Sequence, residues 1–362
     1  MMTQKNINIV HILPNLDVCG GTPQKTLDLI GDNRINPFII VYSEHAQENL
    51  PKYKNITTQI LILKDADPFF QRILKIFQFL KGKNIDIIQA QFAYGELLGV
   101  VVKLIKPSAK LLICFVGPFL DRGFKGKIRS LFYLFANHFV YVSKYVHKSI
   151  ASRSLILKNR TFDILHNGAN LREISNLNYK KRGFTCLYIG GFVEWKNHKL
   201  LIDAFKIICQ KNNYNDTYLI LVGDGPKLDE LKNYTKAIGL QKYIHFTGYQ
   251  KDIGYYFSVA DLYCHPSYAE GFGVAVVEAM LHGITPVLAN SGAFPELVDN
   301  YSNGVLLPHD DPYAWAEMIR TLKNNPKHLN ELSAQAKLSA EERFSAEAFQ
   351  DRYWNVYKRI TS

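Results

Sequence analysis

Short apolar runs alternate with helically periodic stretches along nearly the whole chain, and that alternation leaves few folds open. In the first half, Ile7 to Leu13, Phe38 to Tyr42, Gln59 to Leu63, Ile85 to Ala90, Leu111 to Val116 and Phe139 to Ser143 read as strands. In the second half, Phe184 to Ile189, Tyr218 to Val222, Ile244 to Gly248 and the run into Pro266 do the same. Strands separated by helical patterns predict doubly wound α/β structure. A chain of 362 residues is long enough for two such domains.

Composition removes several classes. With 47% hydrophobic and 21% charged residues the chain is globular. Cys19, Cys114, Cys186, Cys209 and Cys264 are widely spaced and form no CxxC, so neither a zinc site nor a disulfide framework is predicted, and a reducing cytosol fits. Met1 to Val10 lacks the long apolar core of a signal peptide, and Ser130 to Ser143, interrupted by Asn137 and His138, is too short to span a bilayer. The expectation is a soluble or peripheral protein. The net charge of +11 is uneven: residues 1–172 hold 23 Lys and Arg against 11 Asp and Glu, a net +12, which leaves 20 against 21 for the rest. An anionic partner is therefore expected for the first half.

The stretch from Asp261 to Glu296 carries the chemistry. An apolar strand stops at Pro266-Ser267, Gly271 and Gly273 bracket a tight loop, and Val274, Val277, Ala279 and Leu281 have helical spacing, with Gly283 placed to cap the helix. Strand, glycine loop and helix N-terminus together present free backbone N–H groups to an anion, most often phosphate. Glu270 lies in the loop and Glu278 just over one turn into the helix. A carboxylate there repels phosphate but accepts hydrogen bonds from sugar hydroxyls beside it. The alternative is a solvated surface pair.

Glu270-Gly-Phe-Gly followed by Glu278 resembles the Glu-x7-Glu signature of family-4 glycosyltransferases, which are retaining enzymes of the GT-B fold. Further motifs recur in order: His166-Asn-Gly-Ala-Asn170, Gly190-Gly191 with Lys196-Asn, Gly223-Asp-Gly-Pro226, Ile244 to Gly248, Gly292 to Glu296 and Asn303 to Pro308. The resemblance implies two Rossmann-like doubly wound domains facing a central cleft: an acceptor domain over 1–172, a nucleotide-sugar domain over 173–343 with Leu171 to Gly183 as linker, and a terminal helix over 344–362 packing back on the first domain. The implied activity is metal-independent, retaining transfer of a hexose-type sugar from a nucleotide diphosphate sugar, the co-substrate, to a saccharide acceptor in surface polysaccharide (O-antigen, capsule or similar) biosynthesis, with no cofactor. It also implies roles. Lys196 faces the donor diphosphate, Glu270 the donor sugar hydroxyls, Glu278 the ribose, and Gly271, Phe272 and Gly273 the sugar and phosphate. Gly20 and Gly21 form a first-domain loop near the phosphates, and Gly248 and Tyr249 lie by the base. The chain departs from the family at two places. Gly191 stands where an arginine is usual, and Val116 where a histidine is.

Two basic, apolar segments point to the acceptor side. Phe69 to Lys83 sets Phe70, Ile73, Phe77 and Leu80 on one stripe with Arg72, Lys75, Lys81 and Lys83; Arg122 to Phe135 joins Arg122, Lys125, Lys127 and Arg129 to Leu131, Phe132, Leu134 and Phe135. Such helices lie on anionic membrane surfaces, or pack their apolar stripes on their own sheet. The expectation is a cytoplasmic protein, peripheral on the inner face of the membrane, with a lipid-linked acceptor. Asp65-Ala-Asp67 matches a metal-binding Asp-x-Asp, but a helix cap explains it. Two rivals are a GT-B nucleotide-sugar epimerase and a basic nucleic-acid-binding protein; the second lacks any recognisable module.

Overall fold

The computed structural model describes residues 6–16, 21–45, 47–118, 123–173, 181, 183–210 and 216–362. The chain divides into two compact units, residues 1–168 with 346–362, and residues 169–345.

In the first unit, seven described strands form one parallel sheet: β1 Ile7–Leu13, β2 Ile35–Val41, β3 Ile60–Ile62, β4 Ile87–Gln91, β5 Lys110–Phe115, β6 His138–Tyr141 and β7 Phe162–Ile164. Their order is β3-β2-β1-β4-β5-β6-β7, so the winding reverses between β1 and β4. Right-handed crossovers then place helices Phe69–Leu80, Ala93–Ile105 and Gly123–Phe132 on one face. The other face is completed by the end of the chain. Helix Ala346–Thr361 packs Phe349, Tyr353, Trp354, Val356 and Tyr357 against Ile7, Ile9, Ile35, Ile87, Leu112 and Cys114. The Tyr357 hydroxyl donates to Gln89 Oε1 at 2.5 Å.

The second unit holds six described strands, β8 Phe184–Ile189, β9 Thr217–Val222, β10 Ile244–Gly248, β11 Leu262–His265, β12 Thr285–Ala289 and β13 Val305–Leu307, all parallel in the order β10-β9-β8-β11-β12-β13. Its switch lies between β8 and β11, which pair Leu262 with Cys186 and Tyr263 with Leu187.

Several expectations shift. The division falls after Gly168 rather than after 172, because the Ala169 N–H donates to Phe344 O at 2.9 Å and Arg172 is bound to Glu278 within the second unit. Residues 174–180 and 182 of the predicted linker lie outside the described residues. Glu341 to Phe344 close helix Pro326–Phe344, and extended Ser345 separates them from the terminal helix. Asp67 caps nothing, since the N-cap is Pro68; its carboxylate instead takes the Lys64 N–H at 3.1 Å and Lys75 Nζ at 2.6 Å.

The basic segments are also rearranged. Arg72 is 9% exposed and gives its guanidinium to the carbonyls of Lys64, Asp65, Asp67 and Tyr42. Arg129 makes two bonds, 2.7 and 2.6 Å, to the fully buried Glu96. Lys75 is taken by Asp67, and Arg122 lies outside the described residues. Three cations read as membrane-facing thus serve the fold. On helix Phe69–Leu80 the stripe turns as well. Ile76 and Leu80 are buried, while Phe69, Phe70, Leu74 and Phe77 are exposed.

Breaking a buried ion pair from one side strands the other charge. Arg129→Met is expected to cost about 3–5 kcal/mol, read as a lower urea midpoint; a midpoint equal to wild type would show that Glu96 does not depend on it.

Candidate functional site

Ligands of doubly wound sheets bind beyond the carboxyl ends of the strands, near the switch. In the second unit those ends lead into the Gly190-Gly191, Gly223, Glu270 and Gly292 segments. After β8, Gly190 and Gly191 pass into a short turn, Glu194–Lys196, that opens helix His198–Cys209. The turn is held by the segment after β11: the Ser267 hydroxyl and the Tyr268 N–H both donate to Trp195 O, at 2.9 and 3.1 Å. Asn197 Nδ2 adds a bond to His309 O at 2.7 Å.

These ties bring Lys196 onto Glu270, 74 residues away, as a direct ion pair with both side chains 17% exposed. Lys196 Nζ also lies 3.5 Å from His265 Nε2, and Glu270 Oε2 lies 3.6 Å from the same nitrogen. His265 is buried, and the Tyr263 hydroxyl, 3.3 Å from its Nδ1, donates to Ile189 O at 3.0 Å. Burial first, then Lys196 and His198, hold the His265 pKa well below the usual histidine range. Burial, then Lys196, lowers that of His198 to about 3.

The Glu270 backbone is fixed from the far side by the loop after β12. Gly292 sits at φ 60°, where a Cβ would meet Glu270 N at 2.7 Å, and the Ala293 N–H donates to Glu270 O at 3.0 Å. Gly191 is different. A Cβ there would meet only Asp224 O, at 3.8 Å, so packing does not exclude the arginine usual at this position.

Helix Val274–Leu281 follows Gly273 and ends as the spacing predicts, with His282 at the cap and the Gly283 N–H donating to Met280 O. Glu278 is 4% exposed and receives Arg172 Nε at 2.8 Å and Nη2 at 2.5 Å. The Arg172 N–H donates to His282 Nε2 at 3.2 Å, an acceptor because burial, then Lys337 and Arg172, lower the His282 pKa. Phe272 turns inward, 3% exposed and edge-on to Phe344, so only its backbone can face a ligand. Gly248 ends β10 and accepts the Gly223 N–H at 2.9 Å, while Tyr249 is 51% exposed. Gly20 lies outside the described residues, and Gly21 opens helix Gly21–Ile30 of the first unit.

Lys196 and Glu270 thus form one cluster and Glu278 another, each with a partner that motif spacing did not supply. Arg172 gave no local signal. His265 and Tyr263 did: two residues apart, they share one face of a strand.

Residues 170–339 match the family described as Glycosyl transferases group 1. The match takes in nearly all of the second unit, residues 169–345. Proteins to which the chain is similar include the capsular polysaccharide biosynthesis glycosyltransferase CapH of Staphylococcus aureus, 24% identical over 90% of the chain and 93% of CapH. Another is the UDP-Gal:alpha-D-GlcNAc-diphosphoundecaprenol alpha-1,3-galactosyltransferase of Escherichia coli, 24% identical over 70% of the chain and 69% of that enzyme. For other curated glycosyltransferases the chain spans about half their length, 44% of one and 50% of another. Among solved structures, HepE of Anabaena in complex with UDP superposes with a TM-score of 0.82 at 20% identity, over 98% of this chain and all of HepE. The fold is GT-B, two parallel-sheet α/β domains.

The contrast between Gly191 and Gly292 can be measured. Gly292→Ala is expected to destabilise by about 1–3 kcal/mol, the cost of a strained backbone, and Gly191→Ala to stay within about 0.5 kcal/mol of wild type; equal melting temperatures for the two variants would contradict the close approach at Glu270.

Proposed function

We propose that the chain transfers a hexose-type sugar, with retention at the anomeric carbon and without a metal, from a nucleoside diphosphate sugar to a saccharide acceptor carried on a lipid in surface polysaccharide assembly. The observation that carries the reading is the Lys196–Glu270 pair, held beside the Gly271–Gly273 loop at the carboxyl end of the second sheet. A diphosphate has the charge to draw Lys196 off Glu270, which frees the carboxylate for sugar hydroxyls. Glu278 would meet the ribose, with Arg172 bound to it bringing a cation alongside. The loss of the leaving diphosphate is then stabilised by fixed charge and backbone N–H groups. In a front-face transfer the departing phosphate itself takes the acceptor proton, so no side-chain base is required.

Relatives support the donor and acceptor classes. The E. coli relative, by its name, uses UDP-Gal and a diphosphoundecaprenol-linked sugar, and HepE was solved with UDP. The test is thermal stabilisation by UDP-, GDP-, ADP- and dTDP-sugars in wild type, Glu278→Ala and Gly191→Arg. We expect a shift with one nucleotide class that is lost in Glu278→Ala. Gly191→Arg should bind more tightly by about tenfold, one charge-assisted hydrogen bond. No shift with any donor, or release of epimerised nucleotide sugar without acceptor, would overturn the reading.

For the acceptor we propose peripheral attachment to an anionic bilayer, on the cytoplasmic side, through the helical face of the first unit. No helix among the described residues is long and apolar enough to cross a membrane. Phe70 is 68% exposed, Phe77 50%, Leu104 66% and Leu131 54%, on three helices of that face. Lys81, Lys125 and Lys127 are exposed around them. Apolar side chains rimmed by lysine suit a headgroup boundary. Replacing Phe70 and Phe77 by Ser should reduce cosedimentation with phosphatidylglycerol vesicles by at least about tenfold, since each buried Phe contributes about 1.5–3 kcal/mol. Equal binding by the double variant would remove this face from the interface.

A further inference from the structure

We infer that His265 is a positioning residue for Lys196: it is the neutral hydrogen-bond acceptor that keeps the lysine ammonium aimed at the donor diphosphate once Glu270 turns to the sugar. The inference rests on the proposed function, in which Lys196 meets that diphosphate.

The assignment follows from counting protons. A tyrosine hydroxyl has one hydrogen, and Tyr263 gives it to Ile189 O at 3.0 Å, a carbonyl that can only accept. Toward His265 Nδ1, 3.3 Å away, the same hydroxyl can therefore only accept. Nδ1 carries the proton, and in a neutral imidazole Nε2 is left with its lone pair. The neutral form is secured by burial, because His265 is 2% exposed and already faces the Lys196 cation. Nε2 lies 3.5 Å from Lys196 Nζ and 3.6 Å from Glu270 Oε2. A carboxylate has no proton to offer that lone pair, and an ammonium has three.

Lys196 thus sits between a charged acceptor and a neutral one. The two differ when a diphosphate arrives. Glu270 competes with phosphate for the cation; the imidazole orients the ammonium and leaves its charge uncompensated. A contact of 3.5 Å is long, as such bonds often are before a ligand draws the groups together. The chain Ile189, Tyr263, His265, Lys196 runs from the backbone of β8 to the site. It links the end of one strand to the turn that follows it, by way of the neighbouring strand.

A packing role is the competing explanation, since the imidazole also lies against Tyr188 and Phe294, with ring centroids 4.9 and 5.0 Å away. Three substitutions separate the two. His265→Leu keeps bulk and loses both nitrogens, His265→Asn retains a polar group at the Nδ1 position alone, and His265→Gln restores an acceptor near the Nε2 position. Each would be measured for kcat and KM with the donor identified for wild type, for nucleoside diphosphate binding, and for melting temperature. The expected result is a loss in kcat of at least about tenfold in Leu and Asn, the scale of one hydrogen bond to a charged group, with recovery in Gln to within about threefold of wild type. Tyr263→Phe, which frees the tautomer, should lower kcat in the same direction by less. Activity that follows melting temperature across the series, a Leu variant as active as wild type, or a Gln variant as poor as Leu would overturn the inference and leave the proposed function standing. Absence of nucleoside diphosphate binding in wild type would overturn both.

Discussion

The second unit depends on backbone packed directly against backbone where the strand ends meet. A Cβ on Gly223 would lie 2.0 Å from Gly190 O, and the Phe192 N–H donates to Asp224 O across the same gap. Only a residue without a side chain permits that approach. Through it the loops after β8 and β9 are braced as one surface, and the turn bearing Lys196 starts from a fixed point. Parallel strands converge their carboxyl ends at the switch between β8 and β11, so whatever those loops carry is brought together by topology.

Electrostatically the site is stored against itself. Lys196 lies on Glu270 and Arg172 on Glu278, so two cations that would face an anion are neutralised by carboxylates. Partly buried charges are costly unless paired, and each pair offsets part of that cost. A ligand that brings negative charge for the cations and hydroxyl groups for the carboxylates satisfies all four groups after exchange. Phosphate alone would free the cations and leave the carboxylates unpartnered. Under the proposed function, such an arrangement would favour a ligand that combines both kinds of group, as a sugar nucleotide does.

Much of this was legible in the sequence because it is local. The strand into Pro266, the glycine loop, and the helix ending at His282-Gly283 each follow from neighbours in the chain, and the structure has them at those residues. What was not legible is set by long-range packing. The short edge strand Phe162–Ile164, with a 40% exposed Phe162 and a central Asp163, is too brief for its alternation to announce it. Helix Phe69–Leu80 is apolar on two adjacent stripes, so periodicity could not tell which one the sheet would bury. Arg72 and Arg129 read as membrane-facing charge, and Arg172 drew no reading at all, because the carbonyls and carboxylates that hold them lie up to 106 residues away. Ser345, between two long helices, is neither Gly nor Pro, and a lone serine of the kind that starts helices is a weak mark for the break.

The terminal helix has a consequence for how the protein is made. Residues 169–345 are one uninterrupted stretch, whereas the sheet begun at Ile7 has part of its covering layer encoded at the very end, in Phe349, Tyr353, Trp354 and Tyr357. Domains synthesised first ordinarily fold first. Here the strands of the first unit are synthesised before residues 169–345 and their covering helix after them, so the first unit cannot complete this packing until the second has been made. During that interval the apolar residues of the sheet that this helix covers, among them Ile9, Ile87 and Leu112, lack that cover.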